Sequence, residues 1–206
     1  MKNKIQFLNL GKHPITNNFL TKKNPKNEYF YNLKLIFHKS TKLVSLAKFV
    51  PPKKMFNEKY AHRASASKTM SLAYSNLAES IKTRFKPKSI LEIGSNDGVF
   101  IKHFKKIKNL GVEPCKNLAK ITNKVGIKTY DEFWTNKTAK KLVRQNGKID
   151  VIYSANTISH IHNLNETFKA INYTLSDNGV FILEDPSLVE VLKNKSCLLY
   201  TSDAAD

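Results

Sequence analysis

The sequence is short of cysteine, arginine and glycine, and it contains no long apolar run. Its two cysteines, Cys115 and Cys197, are too few for a disulfide framework and stand at no metal-ligand spacing, which argues against redox and metal chemistry. No stretch approaches the roughly 18 apolar residues of a membrane span, and the apolar piece at 5–10 is too short for a signal-peptide core. The chain therefore reads as cytoplasmic, with no membrane partner. Arginine, whose planar fork reads phosphates and bases, occurs only as Arg63, Arg84 and Arg144, although the net charge is +19. The rest of that charge is lysine, which shares A/T-rich codons with asparagine and isoleucine. A basic, solvated surface is the expectation, rather than a nucleic-acid partner, and such a surface attracts a sugar nucleotide's diphosphate.

What is present suffices for one full core and a small appended module: 206 residues, 41% of them hydrophobic. Residues 1–60 hold short apolar pieces (7–10, 29–37 and 43–50) broken by Gly11, Pro14, Pro25 and Pro51-Pro52, which predicts a small β-rich lobe. Over 61–87, Met70, Ala73, Tyr74, Leu77, Ile81 and Phe85 recur at helical spacing behind two possible N-caps, Ser65 and Ser67. A linker helix is expected there, ending at Pro87. From 88 to 196 strand-like runs (89–93, 110–113, 128–130, 149–154 and 180–183) alternate with helical ones (98–106, 117–125, 135–146 and about 164–175), and Asp177-Asn178-Gly179 reads as a turn before the last strand. This alternation predicts an α/β fold with a Rossmann-like, doubly wound, mostly parallel sheet that takes ligands at the carboxyl ends of its strands.

The run Ile90-Leu91-Glu92-Ile93-Gly94-Ser95-Asn96-Asp97-Gly98 is the anchor of that core. Gly94 and Gly98 bracket the turn after the first core strand, and Asn96 between them tolerates left-handed backbone, so the chain can pass close to a ligand. Glu113, at the end of the second core strand, is placed to accept hydrogen bonds from the ribose hydroxyls of an adenosine. A dinucleotide needs G-x-G-x-x-G without acidic neighbours. Here that spacing is absent, and Glu92 and Asp97 repel a pyrophosphate while suiting an ammonium and a sulfonium. S-adenosylmethionine presents both cations and no phosphate. Asn156 follows the fourth core strand at the expected switch point, as a contact for the methionine end of the cofactor or as a cap. Phe133 and Trp134 follow the third, where an aromatic either stacks on adenine or joins the core; Phe133 is kept as the candidate. His160 and His162 fall in the region facing substrate, where a loop histidine either is simply solvated or serves the chemistry; His160 is the nominated catalytic histidine.

Taken together, the run from Leu8 through Gly11, Lys12, His13, Pro14 and Ile15 to Thr16-Asn17, Val50-Pro51-Pro52, Met55-Phe56-Asn57-Glu58-Lys59-Tyr60, the Glu92 to Gly98 loop and Gly111-Val112-Glu113-Pro114 resemble the sugar C-methyltransferase family. The resemblance implies methylation of a nucleotide-linked keto sugar, and it adds Pro114 to the cofactor contacts. By family position Tyr60 reaches over the cofactor from the lobe. It also implies a zinc lobe, but no Cys-x-x-Cys precedes Phe7, and His38 and Thr41 stand where a second cysteine pair would lie. At most one of the four ligands of a structural zinc remains, so no metal is expected and the lobe is expected to be held by apolar residues.

After Asp185-Pro186-Ser187-Leu188 the family continues into a Tyr-Asp-Glu-His run that includes its catalytic base. Here the chain proceeds to Cys197 and on to Asp206, and 197–206 reads as a translated sequencing adaptor. The expectation is a cofactor-binding fragment without competent turnover. Two other readings stand beside it, a methyltransferase for another small molecule or for RNA, and a non-catalytic cofactor-binding module. No oligomeric state follows from the sequence.

Overall fold

The computed structural model describes residues 3–15, 19–20 and 28–194. Its contacts divide the chain into two units, Met1–His62 and Arg63–Asp206. Thr16 and Asn17 of the N-terminal motif, Pro25 among its breakers, and the tail at 197–206 lie outside the described residues.

In the first unit, β1 (Lys4–Pro14), β2 (Phe30–His38) and β3 (Val44–Leu46) form an antiparallel sheet in that order. Gly11 does not interrupt β1 as the sequence suggests. It takes φ +78° inside a register shift between Asn9 and Lys12, and its N–H donates to Asn9 Oδ1 at 3.1 Å, so the glycine bends the strand without ending it. Between β2 and β3 the chain turns tightly, with His38 N–H donating to Leu43 O at 2.8 Å and Lys42 N–H to His38 O at 2.7 Å. His38 and Thr41, which stand where the family's second cysteine pair would lie, serve this corner. His38 Nε2 lies 2.9 Å from Ser45 Oγ, and Thr41 Oγ1 accepts from Leu43 N–H. Apolar packing in the lobe is uneven: Ile15 and Val50 are buried, Leu35, Ile36, Phe37, Val44 and Leu46 are half-buried, and Ile5, Phe7, Leu8, Leu10 and Phe30 stay 38–51% exposed. A three-stranded sheet this small has no second layer of its own to cover a face, so its ladders carry the order. The short helix α1 (Pro52–Met55) follows, started by a proline whose missing N–H costs nothing there.

In the second unit, α2 (Lys68–Phe85) begins at Ser67, whose hydroxyl accepts from Met70 N–H at 3.2 Å; Ser67, not Ser65, is the cap. It ends where Lys86 turns left-handed (φ 43°) ahead of Pro87. Ala78 and Ile81 are buried, with Tyr74, Leu77 and Phe85 packed beside them, while Ala73 is exposed, one step around from that stripe. Then β4 (Ser89–Ile93), β5 (Lys108–Val112), β6 (Lys128–Tyr130), β7 (Ile149–Ala155) and β8 (Leu175–Glu184) build a parallel sheet in the order β6-β5-β4-β7-β8. This is the expected Rossmann-like, doubly wound sheet.

The helices α3 (Lys116–Lys124), α4 (Asn136–Asn146), α5 (Leu164–Thr174) and α6 (Leu188–Lys193) complete the unit. Thr135 and Asn163 cap α4 and α5 through their side-chain oxygens. Alternation along β4 serves two cores. Leu91 and Ile93 join Trp134, Leu142, Ile152 and Ile171 on one face, and Ile90 joins Ile81, Phe100, Phe104 and Tyr153 on the other. Every residue of β4 is buried, as a strand covered on both faces requires.

Two elements differ from their sequence expectation. In place of a helix over 98–106 there is one 3₁₀ turn, Ile101–Phe104, with Ile101 and Phe104 both buried and the Ile101 N–H directed at Glu92. The Asp177-Asn178-Gly179 turn is absorbed into β8, which pairs with β7 through an irregularity between Ile149 and Val151; Ser176 Oγ donating to Asp150 Oδ1 helps hold this stretch to β7.

Candidate active site

The sheet order reverses between β4 and β7, so the crevice expected to take a ligand opens at the carboxyl ends of these two strands. The 94–98 loop lies there, with Gly94, Asn96 and Gly98 all at positive φ (76°, 47° and 81°). At Gly94 a Cβ would stand 2.1 Å from Thr157 Oγ1, and at Gly98 one would stand 2.5 Å from Thr122 Cγ2. Glycine is therefore demanded twice over, by dihedral and by space. Because Thr157 belongs to the β7 exit, the Gly94 contact presses the two switch-point loops together. Asn156 precedes it at φ 49°, exposed, with its N–H donating to Glu184 O at 2.8 Å.

All five backbone N–H groups of the loop are occupied. Gly94 and Ser95 donate to Val112 O (2.8 and 3.3 Å), Asn96 to Glu113 Oε2 (2.9 Å), Asp97 to Asn96 Oδ1 (2.8 Å) and Gly98 to Ser95 O (2.8 Å). The other oxygen of Glu113 accepts from Cys115 N–H at 2.8 Å. Burial pushes the Glu113 carboxyl up, and the hydrogen bonds from Cys115 and Asn96 pull against that rise. Glu92 lies deeper. Burial drives its carboxyl well above the usual carboxylate range; the Ile101 N–H opposes this, and the charges of Glu113 and Asp97 add to it. Among the described residues its Oε2 has no hydrogen-bond partner. Ser95 is fully buried against β5, where a Cβ on Gly111 would meet its Oγ at 2.7 Å.

Asp97 is engaged in a way the sequence did not indicate. It accepts from Ser65 Oγ at 2.5 Å and from Ser65 N–H at 3.3 Å, while Asn96 Oδ1 accepts from Ala64 N–H at 3.0 Å. The turn Ala64–Ala66 is thereby tied to the loop, which explains why Ser65 is not the cap of α2.

The structure brings Glu92, Gly94, Ser95, Asn96, Asp97, Gly98, Glu113, Pro114, Phe133, Asn156 and His160 to the same end of the sheet, following β4, β5, β6 and β7. Phe133 is half-buried, whereas Trp134 is core, its Nε1 donating to Thr167 O at 3.4 Å. Tyr60 belongs to the other unit, where its ring lies 5.7 Å from Phe56 and edge-on to His62.

Sequence reading overlooked the two carboxylates at the end of β8. Glu184 accepts from Tyr153 Oη at 2.9 Å, and Asp185 accepts from Ser159 Oγ at 2.9 Å. The available signal was two consecutive acids closing a strand, which alternation sends to opposite faces. Tyr153 is fully buried against Phe100, with ring centroids 4.1 Å apart; burial, together with the Glu184 charge, pushes its phenol far up, so it stays a donor.

Comparison with known proteins agrees with this architecture. A zinc-binding-domain model matches residues 1–56. The residues present do not fit that metal: this stretch contains no cysteine, His38 is bonded to Ser45, and among the described residues no group of three or more His, Cys, Asp or Glu side chains gathers to hold an ion. The C-methyltransferase NovU of Streptomyces niveus is 30% identical over 107 residues, covering 51% of this chain and 26% of NovU. Two solved structures of the plantazolicin methyltransferase BpumL, with pentazolic and triazolic desmethylPZN analogs and SAH, align at 18% identity with TM-scores of 0.50. They cover 62% and 64% of this chain and 51% and 53% of theirs, a likeness that shows the fold. The chain thus spans about a quarter of NovU and about half of BpumL. A methyltransferase-domain model matches residues 60–203, most of the chain, and the protein belongs to the methyltransferase-domain family.

Proposed function

We propose that the Arg63–Asp206 unit binds S-adenosylmethionine at the carboxyl ends of β4, β5 and β7, and that the whole protein methylates carbon in a nucleotide-linked keto sugar. One observation carries the cofactor half. Every N–H from Gly94 to Gly98 is bonded within the fold, so the loop offers none to a pyrophosphate, while among the described residues Glu92 keeps a buried oxygen without a partner. A cation satisfies that oxygen; a phosphate does not.

Bound there, S-adenosylmethionine supplies an electrophilic methyl group on a sulfonium. Asp97, and Glu92 once it ionises on binding, provide negative charge toward its ammonium and sulfonium. Glu113 gives one lone pair on each oxygen to the backbone and has others left for ribose hydroxyls. The positive φ of Gly94, Asn96 and Gly98 lets the backbone, with Ser95 packed beneath, pass close to the ligand. Pro114 and Phe133 flank the adenine, and Asn156 meets the methionine end. His160 faces the substrate, where a proton leaves the carbon beside the ketone. Tyr60 is assigned to the cofactor by family position alone.

The sugar half rests on the family resemblance and on the likeness to NovU. The lysine-rich surface suits the nucleotide's diphosphate, and among the described residues no helix is long and apolar enough to cross a membrane. We place the protein in the cytoplasm and propose that its lobe holds no zinc, which one equivalent of zinc in a metal analysis overturns. Calorimetry with S-adenosylhomocysteine tests the cofactor: one-to-one binding is expected, and no heat of binding sinks the assignment. Transfer of a labelled methyl group to RNA in place of a keto sugar would move the substrate to another class.

A further inference from the structure

A second polar group sits beyond the cofactor loop, where the exits of β7 and β8 run side by side after their last paired residues, Ala155 and Glu184. From β7 the chain enters the 3₁₀ turn Ile158–His160, anchored in the core by Ile158 and closed by His160 N–H donating to Thr157 O and Ile161 N–H to Ile158 O, both at 3.0 Å. From β8 it continues into Asp185, whose backbone Pro186 restrains to extended conformations. The two exits meet at one carboxylate: the Ser159 hydroxyl donates to Asp185 Oδ1 at 2.9 Å, and the Ser159 backbone N–H is directed at the same group. His160 is the next residue, half-buried and one position from the Ser159 that Asp185 holds.

We propose that Asp185 is the positioning residue for His160 and that Ser159 is the clamp that holds it, so that these three side chains form one acid–base unit on the substrate side. The inference rests on the reading above in which His160 faces substrate. Its physical basis is that an imidazole donating to a fixed carboxylate is held in one tautomer and its protonated form is stabilised by the opposite charge. Burial of His160 opposes its protonation and Asp185 restores part of it, while burial keeps Asp185 above the usual aspartate range and the Ser159 bonds oppose that. The other charge acting on the pair is Glu184, which raises Asp185 further although its own carboxylate is bonded to Tyr153.

The test needs neither cofactor nor substrate. In the full chain labelled with ¹⁵N-histidine, with the His160 signals assigned by a His160→Gln spectrum, the imidazole shifts are followed between about pH 5 and 8. In Asp185→Asn the midpoint is expected to move down by about half a pH unit or more, and the neutral ring to become a mixture of tautomers. Ser159→Ala is expected to act in the same direction and less strongly, and it serves alone if Asp185→Asn does not fold. A midpoint and tautomer unchanged in the folded variants overturn the pairing. S-adenosylhomocysteine affinity is expected to be equal in all forms. Its absence from the parent chain defeats the cofactor assignment, while the histidine spectra still decide the pairing.

Discussion

At Gly94 two independent demands converge, a φ of +76° and a neighbour, Thr157, that leaves no room for a methyl group. Gly94→Ala should cost about 2–5 kcal/mol through strain and overpacking and weaken S-adenosylhomocysteine binding by more than tenfold. Thr157→Gly in the same chain should restore part of both, as thermal melts and calorimetry of the double variant would show. Glu92 poses the opposite case, a carboxyl whose burial is costly in its charged form. Its carboxyl sits above the usual range when folded, so the native state holds a proton that the unfolded chain releases, and its contribution to stability falls as pH rises from about 4.5 toward neutral. Glu92→Gln removes that penalty. The ligand-free variant should melt higher than the parent at neutral pH, by about 2–4 °C for each kcal/mol relieved, with the gap closing near pH 4. Cofactor affinity should drop in the same protein. A melting temperature that leaves the gap unchanged across this range would show that Glu92 is not held protonated.

Among the elements, α2 and the turn before it separate two serines of the same type. Ser67 carries the cap bond to Met70, and Ser65 carries the bond to Asp97. Ser67→Ala should cost about 1 kcal/mol and lower the melting temperature by about 2–4 °C. Ser65→Ala should leave helicity by circular dichroism intact and instead speed hydrogen exchange of the Asn96 and Asp97 amides. Capping rules alone allowed either serine, since both precede the apolar stripe. The choice is made by Asp97, 32 residues further along the chain from Ser65. The same limit explains the shortened helix after Gly98. Its pattern of Ile101 and Phe104 reads as an amphipathic helix, but the carboxylate of Glu92 and the aromatic neighbour Tyr153 lie on other strands.

At the level of the molecule, a net charge of +19 coexists with a loop whose titratable groups, Glu92, Asp97 and Glu113, are all acidic. Binding governed by these carboxylates, two of them buried, should change less than about threefold in Kd between 50 and 500 mM salt. A steep decline would indicate lysine–phosphate contacts and favour a nucleic acid. At a ligand concentration of about a hundred times Kd, S-adenosylhomocysteine should raise the melting temperature by about 5–10 °C.

The sheet was legible because its signals are local: buried β-branched strands, helix stripes and turn residues repeat with their own periods, and strict alternation leaves few topologies. The acidic glycine loop and Glu113 were legible for the same reason, being fixed by spacing within one βαβ unit. Extent and occupancy were not. That Gly11 bends a strand, that Asp177 to Gly179 join β8, that Trp134 is core, that the lobe leaves Phe7 and Leu10 exposed, and that Ser159 and Asp185 meet are outcomes of packing between segments distant in sequence. The sequence by itself determined which chemical groups line the carboxyl ends of the strands. Only the tertiary structure decided which of those groups are already satisfied by one another and which, like the second oxygen of Glu92, have no partner among the described residues, because a hydrogen bond between remote residues has no period to read.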